Sequence, residues 1–135
     1  MIYLTRRERF NAAHRLFQPA LSEEENQRLF GVCANPNYHG HNYQLLVTVR
    51  GIPDARTGLV MNLKELSQLI RSEIIDHLDH KNLNLEVPFL QGMVPSCENV
   101  AKAIFHRLRP HLKGCELHCV KLIETENNYV EYFGD

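Results

Sequence analysis

The chain has no tryptophan, only four cysteines, and a formal net charge of -1 across 135 residues. Each shortage removes a class of function. With 15 lysines and arginines against 16 aspartates and glutamates, nothing supplies the positive surface that a nucleic-acid backbone requires. The short basic run Arg6, Arg7 and Arg9 reads as a solvated strand face. Cys33, Cys97, Cys115 and Cys119 are too few and too irregularly spaced for a disulfide scaffold, so each is a packing residue, a metal ligand or a nucleophile. No apolar run approaches the length of a membrane span, and the opening residues Met1 to Arg9 lack the apolar stretch of a signal peptide. A cytoplasmic protein with no nucleic-acid and no membrane partner is expected.

What is present is ordinary except in histidine. Hydrophobic residues at 44% and charged residues at 23% are enough to fold. The length suits a single domain over 1–135. Eight histidines in so short a chain are the unusual feature, and three of them lie beside alternating apolar patterns.

Residues 2–16 alternate with the two-residue period of a strand, placing Phe10, Ala12, His14 and Leu16 on one face. Residues 19–28 are polar and acidic and read as a connection, with a helical turn at Ser22 to Glu25. From His39 the alternation resumes, and His39, His41, Tyr43, Leu45, Val47 and Val49 share a face. Asn62 has cap chemistry, and Leu63, Leu66, Ile70 and Ile74 carry a helix to about Leu78. Ser96 caps a second helix through Val100, Ile104 and Leu108, which Gly114 terminates. Two strands follow, 115–124 and 128–133. The order strand, strand, helix, helix, strand, strand predicts an α+β fold: a four-stranded antiparallel sheet with two helices on one face.

On a strand, His39 and His41 project from the same face, and His14 supplies a third nitrogen if the first two strands pair. Three neutral imidazoles leave a tetrahedral zinc ion one open position, which is the catalytic pattern. A single strand histidine is more often satisfied by backbone groups. Two adjacent imidazoles in an apolar row are costly to bury unless something satisfies their nitrogens, and a metal does so.

Cys33 lies in a loop of turn formers and reads either as a fourth ligand or as a thiolate base kept off the metal. Cys115 and Cys119 read as core residues on one strand face. Cys97 opens a helix and reads as small packing, and Glu98 beside it as a first-turn acid. Asp79 can orient or tune His80, and Glu124 stands at a strand end.

Taken together, Phe10 to Leu16, Cys33 followed after five residues by His39 to Tyr43, Leu78 to Asn84, Ser96 to Ala101 and Glu124 to Asn128 form a pattern. In that order they resemble the 6-pyruvoyl-tetrahydropterin synthase family, from about Phe10 to Tyr132. The resemblance implies a tunnelling fold in which subunits join sheets into a barrel, commonly a homo-hexamer built as a dimer of trimers. It implies 7,8-dihydroneopterin triphosphate as substrate and zinc as the metal. It also implies His14, His39 and His41 as ligands, Cys33 as catalytic base with Asp79 and His80 as relay partners, and Glu124 as pterin anchor near Ser96, Cys97 and Glu98.

Two positions depart from animal-type members of that family: Ser96-Cys97 replaces two threonines, and Val32 replaces a lysine before the cysteine. A related branch, 6-carboxytetrahydropterin synthase of queuosine biosynthesis, uses the same substrate and metal, but its cysteine usually stands closer to the His-Gly-His. A folate-serving branch carries glutamate at the cysteine position, against Cys33 here. A non-catalytic zinc or pterin-binding homologue is the remaining alternative.

Overall fold

The computed structural model describes residues 1–135. Strand β1 (Ile2–His14) and strand β2 (His39–Gly51) pair antiparallel along their whole length, from Ile2 opposite Gly51 to His14 opposite His39. Between them, helix α1 (Glu23–Phe30) is a full eight-residue helix rather than a single turn. It lacks an apolar stripe and is held by polar groups instead. Ser22 Oγ accepts from the Glu25 amide at 3.1 Å, three glutamates occupy the positive N-terminal turn, and fully buried Asn26 exchanges hydrogen bonds with Gln18.

Helix α2 (Leu63–Ile70) continues through a π-helical turn (Arg71–Ile75) into α3 (Asp76–Leu78), so the expected first helix is one rod. Asn62 caps it by accepting from the Lys64 amide. Helix α4 (Cys97–Leu108) begins at Ser96, whose hydroxyl accepts from the Asn99 amide. It stops earlier than expected. Pro110 cannot donate to a helical carbonyl, and a 3-10 turn over Arg109–His111 closes the helix well before Gly114.

The sheet has five strands, not four, in the order β3-β1-β2-β4-β5, and it is not wholly antiparallel. The addition is β3 (Lys81–Asn82), two residues that pair parallel with Ala12 and Ala13. A pair that short carries no alternation to detect. Strands β4 (Glu116–Ile123) and β5 (Tyr129–Tyr132) complete the sheet.

Phe10, Tyr43, Leu45, Val47, Leu117 and Leu122 of the sheet share one core with Leu66, Ile70 and Ile74 of the first rod and Val100, Ile104 and Phe105 of α4. Both expected helices therefore cover the same face. An irregularity opposite Thr48 and Val49 inserts His118 into β4, which shifts the inward alternation from Leu117 to Val120. Cys115 consequently packs against this core whereas buried Cys119 lies outside it, so the two do not share a face. The opposite face of the sheet is covered by no helix and carries the Thr5–Thr48 hydrogen bond and an aromatic cluster of Tyr3, His118 and Phe133. No helix is long and apolar enough to cross a membrane.

Candidate metal centre and substrate cleft

The register that sets His14 opposite His39 and Ala12 opposite His41 gathers three imidazoles at one end of the β1–β2 pair. Their ring centroids lie 4.6 Å (His14–His39), 5.1 Å (His14–His41) and 4.9 Å (His39–His41) apart. One ring nitrogen from each lies within 4.8 Å of the others, a separation suited to a single ion.

His14 is the buried member, 1% exposed. Its Nδ1 lies 2.8 Å from the Pro95 carbonyl oxygen, and because a carbonyl only accepts, Nδ1 carries the hydrogen. That leaves the Nε2 lone pair for a ligand, the arrangement that outer hydrogen bonds commonly impose on metal-binding histidines. Burial, chiefly, depresses the His14 pKa to about 4, and it lowers His39 as well, so both rings are neutral at physiological pH. His41 Nε2 is buried and makes no hydrogen bond. A buried imidazole nitrogen without a partner is costly in protein alone, and the donor set fits a zinc-type ion.

Glu124 follows β4 and reaches back to the same place. Its carboxylate oxygens lie 3.9 Å from His14 Nε2 and 3.9 Å from His41 Nε2. Glu124 also lines a cleft of about 410 Å³ together with Ser96, Cys97, Glu98 and Asn128. The four residues expected to meet substrate thus share one cleft, and Glu124 joins that cleft to the histidines. Cys97 donates to the Leu122 carbonyl at 3.5 Å. Burial first, then the charges of Glu124 and Glu98, push its thiol up to about 12, so it is protonated and unreactive at neutral pH.

Cys33 sits half-buried in a 3-10 turn (Gly31–Ala34) and is not part of the histidine cluster. Asp79 and His80 follow α3. Asp79 Oδ1 accepts from the Asn11 amide at 3.0 Å and Oδ2 lies 3.0 Å from His80 Nδ1. The Asn11 amide, foremost, holds the Asp79 carboxyl below its usual range, with the His80 bond adding to it. His80 is exposed and has a left-handed backbone, φ 61°, uncommon for a residue with a side chain. No hydrogen bond joins Cys33 to Asp79 or His80 within the chain.

Three residues at the site were not singled out from the sequence. Tyr43 stacks on Phe10 at 4.8 Å beside His41, and burial raises its phenol far above the tyrosine range. Asn84 brackets the Arg15 backbone with two hydrogen bonds, and Arg15 itself is buried. Tyr43 lies in the alternating row that carries His39 and His41, which was a usable signal; Arg15 and Asn84 stand inside the stretches Phe10 to Leu16 and Leu78 to Asn84, which marked the segments but not these two residues.

A sequence model of the family described as 6-pyruvoyl tetrahydropterin synthase matches residues 3–135. The human 6-pyruvoyl tetrahydrobiopterin synthase is 48% identical over 132 residues, 98% of this chain and 91% of the human protein. The solved structure of Caenorhabditis elegans 6-pyruvoyl tetrahydropterin synthase superposes with a TM-score of 0.94 at 38% identity, covering 99% of this chain and 96% of that one. A 6-carboxy-5,6,7,8-tetrahydropterin synthase from Haemophilus influenzae is 27% identical over 126 residues, 76% of this chain and 84% of that protein.

Proposed function

This chain belongs to the 6-pyruvoyl tetrahydropterin synthase family and is an enzyme of the lyase type; on that premise we propose that it converts 7,8-dihydroneopterin triphosphate to 6-pyruvoyl-tetrahydropterin and releases triphosphate. The observation that carries this reading is the position of Glu124, which borders both the histidine cluster and the cleft. A pterin held there would present its side chain to the metal position. The higher identity to the pyruvoyl-type relatives than to the carboxy-type one supports the pyruvoyl product.

In this reading His14, His39 and His41 hold zinc, with His14 set by Pro95. When bound, zinc supplies Lewis-acid polarisation of the oxygens on the substrate side chain. The chain's own residues do the rest. Glu124 accepts paired hydrogen bonds from a ring N–H and the exocyclic amine of the pterin, fixing its orientation, while Ser96, Cys97 and Glu98 form the opposing wall. Cys33, as thiolate, takes and returns protons at the side-chain carbons while triphosphate departs. Asp79 and His80 relay that proton, with Asp79 orienting the imidazole through Nδ1.

Cys33 and the Asp79–His80 pair are not joined within one chain, and the sheet leaves β3 and β5 as edges. Both features support a homo-oligomer whose sites combine Cys33 of one subunit with Asp79 and His80 of another; the resemblance to the family implies that it is a hexamer of two trimers whose barrel covers the edges. Each subunit contributes a single domain over 1–135.

Incubating the purified zinc-loaded protein with 7,8-dihydroneopterin triphosphate and weighing the products tests the proposal. A pyruvoyl product with free triphosphate is expected. A carboxy product with acetaldehyde would assign the chain to the queuosine-type reaction instead. Binding without turnover would make it a non-catalytic pterin-binding homologue.

A further inference from the structure

Arg15 follows the metal-side residue His14 and is only 8% exposed, an unusual position for a guanidinium. Its nearest carboxylate is Glu23 at 3.4 Å, itself 62% exposed, so solvent screens the pair. One guanidinium nitrogen donates to the Ala34 carbonyl at 2.8 Å, and the group lies 3.9 Å above the Phe17 ring. The next residue continues the pattern: the Leu16 amide donates to the Cys33 carbonyl at 2.8 Å. Two successive residues leaving β1 therefore hold the two successive carbonyls of the turn that carries Cys33.

The other side of this junction is equally fixed. The Asn84 side chain donates to the Arg15 carbonyl and accepts from the Arg15 amide, and the Leu83 amide donates to the Ala13 carbonyl. The turn itself is short, four residues of 3-10 helix, and it closes with a bond from the Asn35 amide to the Val32 carbonyl. Alone, such a turn is weakly held.

We propose that Arg15 is a positioning residue that clamps the Cys33 turn onto the metal-side end of β1. The inference rests on the reading of Cys33 as the group that moves protons. Arginine suits the task better than lysine. One guanidinium nitrogen, Nη2, reaches both the Ala34 carbonyl and Glu23 while the planar group stacks on Phe17, whereas an ammonium is a more strongly hydrated point charge that cannot stack in this way.

The rival role for a buried guanidinium is to hold substrate phosphate, since Arg15 also lines a pocket of about 440 Å³ with Tyr38 and Gln91. The two roles separate kinetically. A clamp acts on the reacting geometry and lowers kcat, whereas a phosphate ligand raises KM.

The test uses the full zinc-loaded protein with Arg15→Lys, and Arg15→Gln as a second variant that keeps a neutral donor. Zinc content and KM within about twofold of the parent are expected, together with a fall in kcat of about 10- to 100-fold, the scale of a slightly misplaced group. The iodoacetamide alkylation rate of Cys33, read by peptide mass, should change severalfold in both variants. This last readout does not depend on turnover. If the parent protein forms no product, the reaction reading fails, yet the alkylation comparison still decides the clamp. Unchanged kcat and unchanged alkylation would overturn the proposal, as would a rise in KM alone. Exchange of the Arg15 guanidinium protons in the parent, read by NMR, decides the point if neither variant folds: protection against exchange supports the clamp, and exchange at the rate of free arginine removes it.

Discussion

His41 Nε2 and a carboxylate oxygen of Glu124 stand 3.9 Å apart, too far for a hydrogen bond, although the imidazole nitrogen is buried and has no other partner. His14 Nε2 stands at the same distance from the other carboxylate oxygen. A direct bond from His41 would satisfy a costly buried atom. Two imidazole nitrogens that instead converge beside a third ring, with the carboxylate set back, form a cluster that could hold a metal ion, beside the residue proposed to anchor substrate.

Zinc content follows from that geometry. The protein as purified should hold one zinc per chain, and His39→Ala and His41→Ala should each deplete it. Removing a direct ligand should weaken binding by more than the roughly 10- to 100-fold typical of losing an outer hydrogen-bond partner. Elemental analysis after dialysis decides it. Full zinc occupancy in both variants would make these histidines ordinary strand residues.

Acid stability of the metal-free protein is a second consequence. An unfolded histidine titrates near 6.5, whereas burial lowers His14 to about 4 in the fold. Between these values the unfolded chain binds a proton that the folded chain refuses. Stability is therefore complete above about pH 6.5 and falls by about 3 kcal/mol as the pH drops toward about 4. His39, also lowered by burial, acts in the same direction. Asp79, whose carboxyl is held low by the Asn11 amide, adds a loss only further into the acid, below the usual carboxylate range. Urea unfolding of chelator-treated protein across this window measures the effect, and a flat profile would show that His14 is not buried as neutral imidazole.

Much of this site was legible in the sequence because strand alternation is a local property. His39 and His41 two apart on one face, and the capping chemistry of Asn62 and Ser96, required no knowledge of neighbours. The pairing of His14 with His39 depended on register, which the sequence suggested only through matching apolar rows. What escaped notice is non-local or polar. Helix α1 is held by Asn26 rather than an apolar stripe, β3 is two residues long, and the extra residue His118 reverses the facing of Cys119 relative to Cys115. Arg15 looks like any strand-end cation until Ala34 and Phe17 are seen beside it.

Binding and chemistry should separate at Glu124 and Cys33. Cys33→Ala is expected to keep its zinc and bind 7,8-dihydroneopterin triphosphate, yet lose most of its turnover, since three histidines account for the metal and Glu124 for the ring. Glu124→Ala should bind substrate more weakly by about 1.5 to 3 kcal/mol, the value of a hydrogen bond to a charged group. Calorimetric titration beside a triphosphate-release assay reads both quantities. Loss of zinc from Cys33→Ala would identify the thiol as a fourth ligand, and undiminished activity would hand the proton transfer to another group.

Because no hydrogen bond joins Cys33 to the Asp79–His80 pair within a chain, a site that uses all three calls for assembly. Light scattering of the parent protein should give an oligomer, and Cys33→Ala and His80→Ala should each be nearly inactive alone. Co-expressed, they should recover activity, because a site built across two subunits can draw Cys33 from one variant and His80 from the other. Random mixing at equal amounts leaves roughly a quarter of such sites intact. The double variant Cys33→Ala/His80→Ala is the control and should stay inactive when co-expressed with either single variant. If mixed oligomers, verified by native mass spectrometry, show no more turnover than the separate variants, the groups act within one subunit and a chain movement must bring them together.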